Sequence, residues 1–218
     1  MINLKLDNSG KPLTILVLGA HCDDIEIGCG GTMLTVIKNN PHVNVFWIVF
    51  TSTEKRKMEA TKSANLYCEN IAAFDLKVLD FKDGFLPYHG EEVKNTFESL
   101  KREVEPDLIF THYRYDLHQD HRLVSELTWN TFRNHLILEY EIPKWDGDIG
   151  TPDMFVHLDQ AAALKKIQYL QQIYNSQKNK AWFTDDLFWS LMRIRGLESN
   201  SPSTIAEAFY SRKSVVDL

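Results

Sequence analysis

The chain has 218 residues, of which 24 are lysine or arginine and 30 are aspartate or glutamate, giving a formal charge of −6. Its 44% hydrophobic and 25% charged residues exclude a wholly disordered chain and predict one soluble globular domain over residues 1–218. The acidic balance argues against a nucleic-acid partner, because such proteins neutralise phosphates with lysine and arginine. No apolar run reaches the ~18 residues that a membrane-spanning helix needs, so no membrane span is expected.

The cysteines and the N-terminus both bear on location. Cys22, Cys29 and Cys68 cannot all pair, and they lack zinc-finger spacing. The first residues show no basic region followed by an apolar stretch and a small-residue cleavage site, the pattern of a secretion signal. Both observations predict a protein of the reducing cytoplasm.

The first two thirds of the chain alternate apolar runs with helical patterns. Strands are predicted at residues 13–20, 43–50, 77–81 and 107–112. Helices are predicted around residues 27–37, ended by Asn39, Asn40 and Pro41, and at residues 54–67, 91–104 and 122–135. Strands separated by helices of roughly 10–15 residues imply right-handed βαβ units. The predicted fold is therefore α/β, a Rossmann-like three-layer sandwich with a mostly parallel sheet.

The last third of the chain is less regular and predicts an irregular C-terminal elaboration. Its strands are predicted at residues 136–142 and 154–158, and its helices at residues 161–174 and 185–195. A turn-rich segment, residues 143–152, separates the two strands. Because of its glycine, proline and aromatic content, residues 140–154 are a candidate rim or lid of a binding site.

Four of the eight histidines lie in two short segments, each directly after a predicted buried strand. These segments are residues 20–26, which contain His21, and residues 112–121, which contain His112, His118 and His121. In an open parallel sheet, ligands bind beyond the carboxyl ends of the strands. We therefore expect the two segments to meet in space, although about 90 residues separate them along the chain.

The spacing within these segments suits a metal site. His21 and Asp24 are three residues apart, so on a helical turn their side chains can point at one spot. Asp23 cannot easily face the same way as its neighbour and is free for another task. Imidazole and carboxylate groups are ordinary zinc ligands, and a catalytic zinc keeps three protein ligands and one open position. His21, Asp24 and one of His118 and His121 would make such a set.

Simpler interpretations exist for the same residues. The Asp-Asp pair could be a helix N-cap followed by a first-turn acid, and single histidines are usually structural. Gly28, Gly30 and Gly31 do not have the G-x-G-x-x-G spacing of a dinucleotide site, so close helix–sheet packing explains them better.

The two segments resemble the motifs of the PIG-L (LmbE-like) family of zinc-dependent N-deacetylases, which remove acetyl groups from N-acetylglucosaminyl compounds. Residues 20–31, Ala-His-Cys-Asp-Asp-Ile-Glu-Ile-Gly-Cys-Gly-Gly, resemble the family's A-H-P-D-D-x-E-x-G-x-G-G. Residues 118–121, His-Gln-Asp-His, preceded by Asp116, resemble its H-P-D-H. Cys22 and Gln119 replace the usual prolines. Weaker similarity at residues 56–64, 158–177 and 195–209 extends the resemblance over most of the chain.

The resemblance implies a role for each matching residue and a Zn²⁺ cofactor. The substrate would be a small N-acetylated sugar or glycoconjugate, and self-association is also implied. The implied zinc ligands are His21, Asp24 and His121. The other implied roles are general base for Asp23, protonated partner for His118, orientation of His118 for Asp120, and substrate contacts for Arg56 and, more loosely, Asp83.

Other functions remain open at this stage. A zinc hydrolase acting on an ester or a phosphate would keep the metal, whereas a Rossmann-like ligand-binding module would have no turnover. Cys22 is predicted to be a packing residue rather than a ligand. His112 is either a partner of the metal ligands or a hydrogen bonder of the core.

Overall fold

The computed structural model describes residues 3–6, 10–40, 42–71 and 73–215. Within them, seven strands form one sheet in the spatial order β3-β2-β1-β4-β5-β7-β6. Strands β1 to β5 run parallel to one another, whereas β7 is antiparallel to both of its neighbours. The strands are β1 Thr14–Gly19, β2 Asn44–Thr51, β3 Ala73–Phe81, β4 Leu108–His112, β5 Leu136–Tyr140, β6 Met154–His157 and β7 Ala206–Tyr210.

In the described part of the chain, six α-helices cover the two faces of this sheet. They are α1 Asp24–Asn39, α2 Glu54–Tyr67, α3 Gly90–Glu103, α4 Gln119–Thr131, α5 Gln160–Ile173 and α6 Asp185–Glu198. Alternate residues of β1 separate the core into two layers, since Ile15 and Val17 pack with α1, α2 and α5, and Leu16 and Leu18 pack with α3 and α4. The predicted three-layer α/β sandwich is confirmed.

The sheet order reverses direction between β1 and β4. The chain moves outward from β1 to β2 and β3, and then returns to place β4 on the other side of β1. Loops leaving the carboxyl ends of β1 and β4 therefore diverge, and the crevice between them is where ligands bind in this type of sheet. His21 follows β1, and His112 ends β4. The fold thus brings the two histidine-bearing segments to one crevice.

Helix α1 is interrupted one turn after it begins. Cys29 has non-helical dihedral angles (φ −139°, ψ 16°), which frees backbone groups on either side. The carboxylate of Glu207, on β7, accepts hydrogen bonds from the N–H groups of Gly31 (2.9 Å) and Thr32 (2.6 Å). The ammonium group of Lys166, on α5, bridges Glu207 and the carbonyl of Ile27, at 2.6 Å each. A buried ion pair from the C-terminal third of the chain therefore supplies hydrogen-bond partners for the backbone groups on either side of the break in α1.

The structure differs from the sequence predictions in one strand and at the bounds of several elements, including the end of α4, which lies at Thr131 rather than at residue 135. Strand β7 was not predicted, α4 begins at Gln119 rather than at residue 122, and β3 begins at Ala73 rather than at residue 77. The end of α1 at Asn39 and Asn40 agrees with the prediction, but Pro41 lies outside the described residues. Among the described residues, no helix is both long and apolar enough to cross a bilayer.

Candidate metal and catalytic site

Three side-chain atoms from the two predicted segments converge in the crevice between β1 and β4. His21 Nδ1 lies 3.0 Å from His121 Nε2 and 3.2 Å from Asp24 Oδ2, and His121 Nε2 lies 3.5 Å from Asp24 Oδ2. All three residues are buried. The prediction that the segments meet in space is confirmed.

This triangle of donor atoms has the dimensions of one face of a zinc site. A tetrahedral ion bonded to nitrogen and oxygen at about 2.0–2.1 Å has ligand atoms about 3.3–3.4 Å apart. The three observed separations bracket that value. His118 can also be grouped with His21 and His121, and His112 with Asp24 and His121, because their donor atoms all lie within 4.8 Å of one another.

The electrostatics of the triangle suit a cation. The imidazoles of His121 and His21 outweigh the burial of Asp24 and hold its pKa well below the ordinary value. Burial, together with the neighbouring His112, lowers the pKa of His121 to about 3, which leaves its ring neutral. Burial opposes a proton on His21, but Asp24 and nearby carboxylates outweigh it and raise the pKa of His21. A bound cation would displace that proton, because metal binding generally releases protons from the ligands.

His121 is held by two buried neighbours. Its Nδ1 lies 2.8 Å from Asp116 Oδ2, and its ring stacks on His112 with the centroids 3.9 Å apart. His112 in turn accepts a hydrogen bond from the N–H of Ala20 (2.9 Å) and lies 3.3 Å from Asp24. The two interpretations of His112 therefore coincide, because one buried ring both bonds the core backbone and contacts the predicted ligands.

The described contacts of the Asp23 carboxylate do not include the three atoms of the triangle, which agrees with its place beside Asp24. One carboxylate oxygen, Oδ1, accepts a hydrogen bond from Nη2 of Arg56, the third residue of α2. The other oxygen, Oδ2, is buried and has no hydrogen-bond partner among the described residues. Burial raises the pKa of Asp23 even though Arg56 lowers it. A raised pKa and an unpaired oxygen are properties of a proton acceptor.

The contacts of His118 and Asp120 differ in part from those expected. His118 Nδ1 accepts a hydrogen bond from the backbone N–H of Asp120 (3.2 Å), which caps α4. The Asp120 carboxylate instead accepts from the N–H groups of Gly84 and Leu86 and lies 3.3 Å from His21 Nε2. Among the described contacts, it therefore orients His21 rather than the His118 ring. Burial, and then His21, lower the pKa of His118.

Asp83 lies at the mouth of the site. Its Oδ1 is 3.1 Å from His21 Nε2, and its Oδ2 is 3.8 Å from a guanidinium nitrogen of Arg56. The side chain is 58% exposed, so a ligand entering the crevice can reach it. Asp83, which the family resemblance matched only loosely, therefore lies beside the candidate metal site.

Sequence reasoning missed the contribution of the loop after β5. Lys144 is buried and lies 3.0 Å from Asp116 Oδ2, the oxygen that also faces His121. Asp148, on the same loop, bonds Lys144 and accepts from the N–H of Leu117 at 2.7 Å. A lone lysine in a turn-rich segment gives no signal of such a contact. The loop lies within the predicted rim at residues 140–154.

Several exposed apolar side chains lie on loops that also carry residues of the candidate site. These loops follow β3, β4 and β5, and the exposed apolar residues on them are Phe85, Tyr88, Tyr115, Leu117, Trp145 and Ile149. We call this set the apolar collar. Exposed apolar groups gathered around a polar crevice mark a surface that binds a ligand.

The simpler interpretations hold for Cys22 and for the glycines. The buried thiol of Cys22 donates to the carbonyl of Thr51, and burial raises its pKa to about 12. It is a packing residue, as predicted. A Cβ atom on Gly28 would lie 2.2 Å from the ring of Tyr140, so this glycine permits close helix–sheet packing, as predicted.

The fold and site define a Rossmann-like α/β protein with a buried His/Asp cluster at the switch point of its sheet. Residues 16–132 match the profile of the PIG-L family, described as GlcNAc-PI de-N-acetylase. The match covers more than half of the chain, and the protein belongs to this family.

Three solved structures are similar to the whole chain. The conserved protein TT1542 from Thermus thermophilus is 20% identical, with a TM-score of 0.73 over 94% of this chain and 97% of its own. The N,N'-diacetylchitobiose deacetylase from Pyrococcus horikoshii is 20% identical, with a TM-score of 0.68 over 91% and 83%. GalB, the 4-carboxy-2-hydroxymuconate hydratase from Pseudomonas putida, is 14% identical, with a TM-score of 0.76 over 94% and 98%. At these identities the likeness establishes the fold.

Proposed function

We propose that this protein is a zinc-dependent hydrolase that removes the acetyl group from an N-acetylglucosamine-type sugar or its conjugate. One observation carries the proposal, namely the buried triangle of His21, Asp24 and His121, with the carboxylate of Asp23, which has an unpaired oxygen, next to it in the chain. Family membership and the deacetylase activity of the Pyrococcus relative support the same reaction.

His21, Asp24 and His121 would hold the metal. The neutral ring of His121 and the ionised carboxylate of Asp24 offer lone pairs, and His21 would release its proton when the metal binds. The separations of the three donor atoms fit a tetrahedral ion. The bound zinc would polarise the acetamide carbonyl and lower the pKa of water toward ~7. Asp116 and His112 would fix the His121 ring in the orientation that binding requires.

Asp23 would accept the proton of the attacking water. Its unpaired Oδ2 is available for that hydrogen bond, while Arg56 fixes Oδ1 and keeps the carboxylate from rotating. Because the pKa of Asp23 is raised, it lies nearer to the working pH than the pKa of an exposed aspartate does. Arg56 and Asp83 would also contact the sugar, since both line the mouth.

His118 would carry a proton to the departing amine. Its lowered pKa means that the resting ring carries a proton for a smaller fraction of the time than an exposed histidine does. The ring can therefore take up the proton during the reaction and release it to the amine nitrogen. The products would be acetate and a free amino sugar, which together contain the atoms of substrate and water.

Of the two proposed substrate types, the apolar collar favours the conjugate over the free sugar. The apolar collar offers a surface for an apolar aglycone beside the polar crevice, for which a bare hexose has no matching group. A cytoplasmic location is part of the proposal, supported by three free, buried cysteines. Self-association is the remaining part, and it would bury some of the exposed apolar surface.

One experiment tests the activity. Purified protein is incubated with N-acetylglucosaminides of increasing aglycone hydrophobicity, and released acetate and bound zinc are measured. We expect acetate release that stops on chelation and returns with zinc. Asp23→Asn should retain zinc and lose at least about 100-fold in kcat, the usual contribution of a general base. Asp80→Asn, an exposed acid on β3, is the matched control.

The same assay separates the rival reactions. The likeness to a hydratase shows that this fold also carries chemistry other than amide hydrolysis. Turnover of an ester, a phosphate or a double-bond substrate without acetate release would replace the proposed reaction. Nucleotide binding without bound metal would favour a binding module.

A further inference from the structure

A basic groove lies along the outer surface of α4, apart from the catalytic crevice. The groove is open to solvent and has a volume of about 620 Å³. Eight residues line it, of which five are cationic and one is acidic. These residues are Arg114, Arg122, Glu126, Trp129, Asn130, Arg133, Arg212 and Lys213. Such a concentration of positive charge is notable in a chain of net charge −6. The local field therefore opposes that of the whole molecule.

The positive charge of this groove is largely uncompensated. Arg212 pairs with Glu139, which is fully buried beneath the groove. No carboxylate lies within 4.0 Å of the charged groups of the other four cations among the described residues. Their described bonds go to neutral groups instead, for example from Arg133 Nε to the carbonyl of Asn130 at 3.1 Å. An anion entering the groove would thus find several unpaired charges.

The floor of the groove is rigid. The indole N–H of Trp129 donates to Glu139 at 2.6 Å, and Arg212 Nε donates to the same oxygen at 2.6 Å. The Arg212 guanidinium covers the Trp129 ring, 4.3 Å from its centroid. This arrangement fixes Arg212 and leaves the Trp129 face occupied. Base stacking, which single-stranded nucleic acids use, is therefore not available there.

We propose that this groove binds a small, soluble phosphate ester. Four of its five cations are arginines, whose planar guanidinium groups match phosphate oxygens in pairs. Its volume falls within the roughly 300–1,000 Å³ of small-molecule sites. The acidic net charge and the covered indole both disfavour a nucleic-acid strand.

The groove is also connected to the catalytic loop. Arg122 Nη1 donates to the carbonyls of Asp116 (3.1 Å) and Leu117 (2.5 Å), the two residues before His118. A phosphate bound at this end would compete for the same guanidinium. The groove is thus placed to bind an anion without using any residue assigned to the reaction.

Calorimetric titration with inorganic pyrophosphate at low ionic strength tests the proposal. Arg133→Glu and Lys213→Glu each add a negative charge at the groove and should weaken binding by about tenfold or more. Lys62→Glu, the same charge change on α2, away from the groove, should leave the affinity within about twofold. Unfolding midpoints and acetate release should match wild type in all three variants.

Two further measurements fix the location and the source of the ligand. Binding should persist in His121→Ala, because the groove does not include the catalytic cluster, and it should weaken steeply with added salt. Absence of pyrophosphate binding, equal affinity in wild type and both groove variants, or loss of binding only in His121→Ala would overturn the proposal. So would binding to vesicles containing phosphatidylinositol phosphates without binding of pyrophosphate.

Discussion

Two opposing effects act on the carboxylate of Asp23. Burial raises its pKa, and the positive charge of Arg56 lowers it. As the proposed general base, Asp23 must be ionised to accept a proton, so kcat/KM should rise with pH through this pKa. Arg56→Gln removes the favourable charge, raises the pKa further and should move the acid limb of the profile to higher pH. The measurement is the pH dependence of kcat/KM for acetate release.

Lys57→Gln provides the control for this prediction. It removes one positive charge from an exposed neighbouring position on α2 and should leave the acid limb in place. An acid limb that is identical in wild type and Arg56→Gln would show that Asp23 does not govern the profile.

Glu26 places a pH-dependent cost on the folded state. The residue is buried, accepts a hydrogen bond from the Tyr174 hydroxyl at 2.5 Å, and has its pKa raised to about 7, mainly by burial. The folded protein therefore holds this proton where the unfolded chain has lost it. Stability falls as pH rises from about 4.5 to 7, by roughly 3 kcal/mol at most.

Replacing the carboxyl group with an amide tests this cost. Glu26→Gln keeps an oxygen to accept from Tyr174 and cannot ionise. Its stability relative to wild type should be greater at pH 8 than at pH 5 by roughly 2–3 kcal/mol, measured by urea unfolding. A relative stability that does not change between the two pH values would contradict the assignment.

At the scale of elements, α1 packs so closely on β5 that there is no room for a side chain at Gly28. A Cβ atom on Gly28 would lie 2.2 Å from the ring of Tyr140, whose hydroxyl is held by the carbonyl of Leu18 at 2.6 Å. Gly28→Ala should therefore destabilise the fold by about 1–3 kcal/mol, as overpacking does. Urea unfolding measures the change.

Gly90 offers a matched position for comparison. It is the first residue of α3, and a Cβ atom there would have no neighbour within 4 Å. Gly90→Ala should be neutral or stabilising by less than about 1 kcal/mol. Equal destabilisation by both substitutions would show that the Tyr140 contact is not the cause.

The elements that the sequence predicted well are those whose signal is local. Apolar runs identified β1, β2 and β4, and the helix predicted at residues 54–67 has the bounds of α2. Strand β7 was missed because it is short and contains Glu207, and acidic residues are depleted in strands. Only the tertiary contacts of Glu207 with Lys166 and α1 explain its place. Helix α4 was begun too late because residues 119–121 are polar.

The same distinction applies to the candidate site. The positions of the two segments after β1 and β4 predicted that His21 and Asp24 would meet His118 or His121, since the carboxyl ends of parallel strands meet at one edge. The family resemblance selected His121, which lies with His21 and Asp24 in the structure. The contact of Lys144 with Asp116 could not be predicted, because it depends on how an irregular loop returns to the sheet. The basic groove was also missed, because its cations come from residues 114 to 213.

At the scale of the whole molecule, a bound ion would link segments that lie about 100 residues apart. Binding to the folded state alone stabilises it, by about 2.7 kcal/mol when the free ion is at 100 times its dissociation constant. Chelation should therefore lower the Tm, and zinc should restore it. In His121→Ala, chelation should have little effect. A Tm that does not respond to chelation in zinc-loaded wild type would contradict the proposed site.

The hydrogen bonds between Glu207 and α1 limit where this chain can be truncated. The family match ends at residue 132, yet the helix that begins with Asp24 is completed by Lys166 and Glu207, far downstream. A fragment that retained both motifs but stopped at residue 132 would leave two buried amides and a carbonyl without partners. Grafting the two motifs alone onto another scaffold would thus fail to reproduce the His/Asp cluster. Substitutions near residue 207, by contrast, would change the position of α1 and so alter the cluster from a distance.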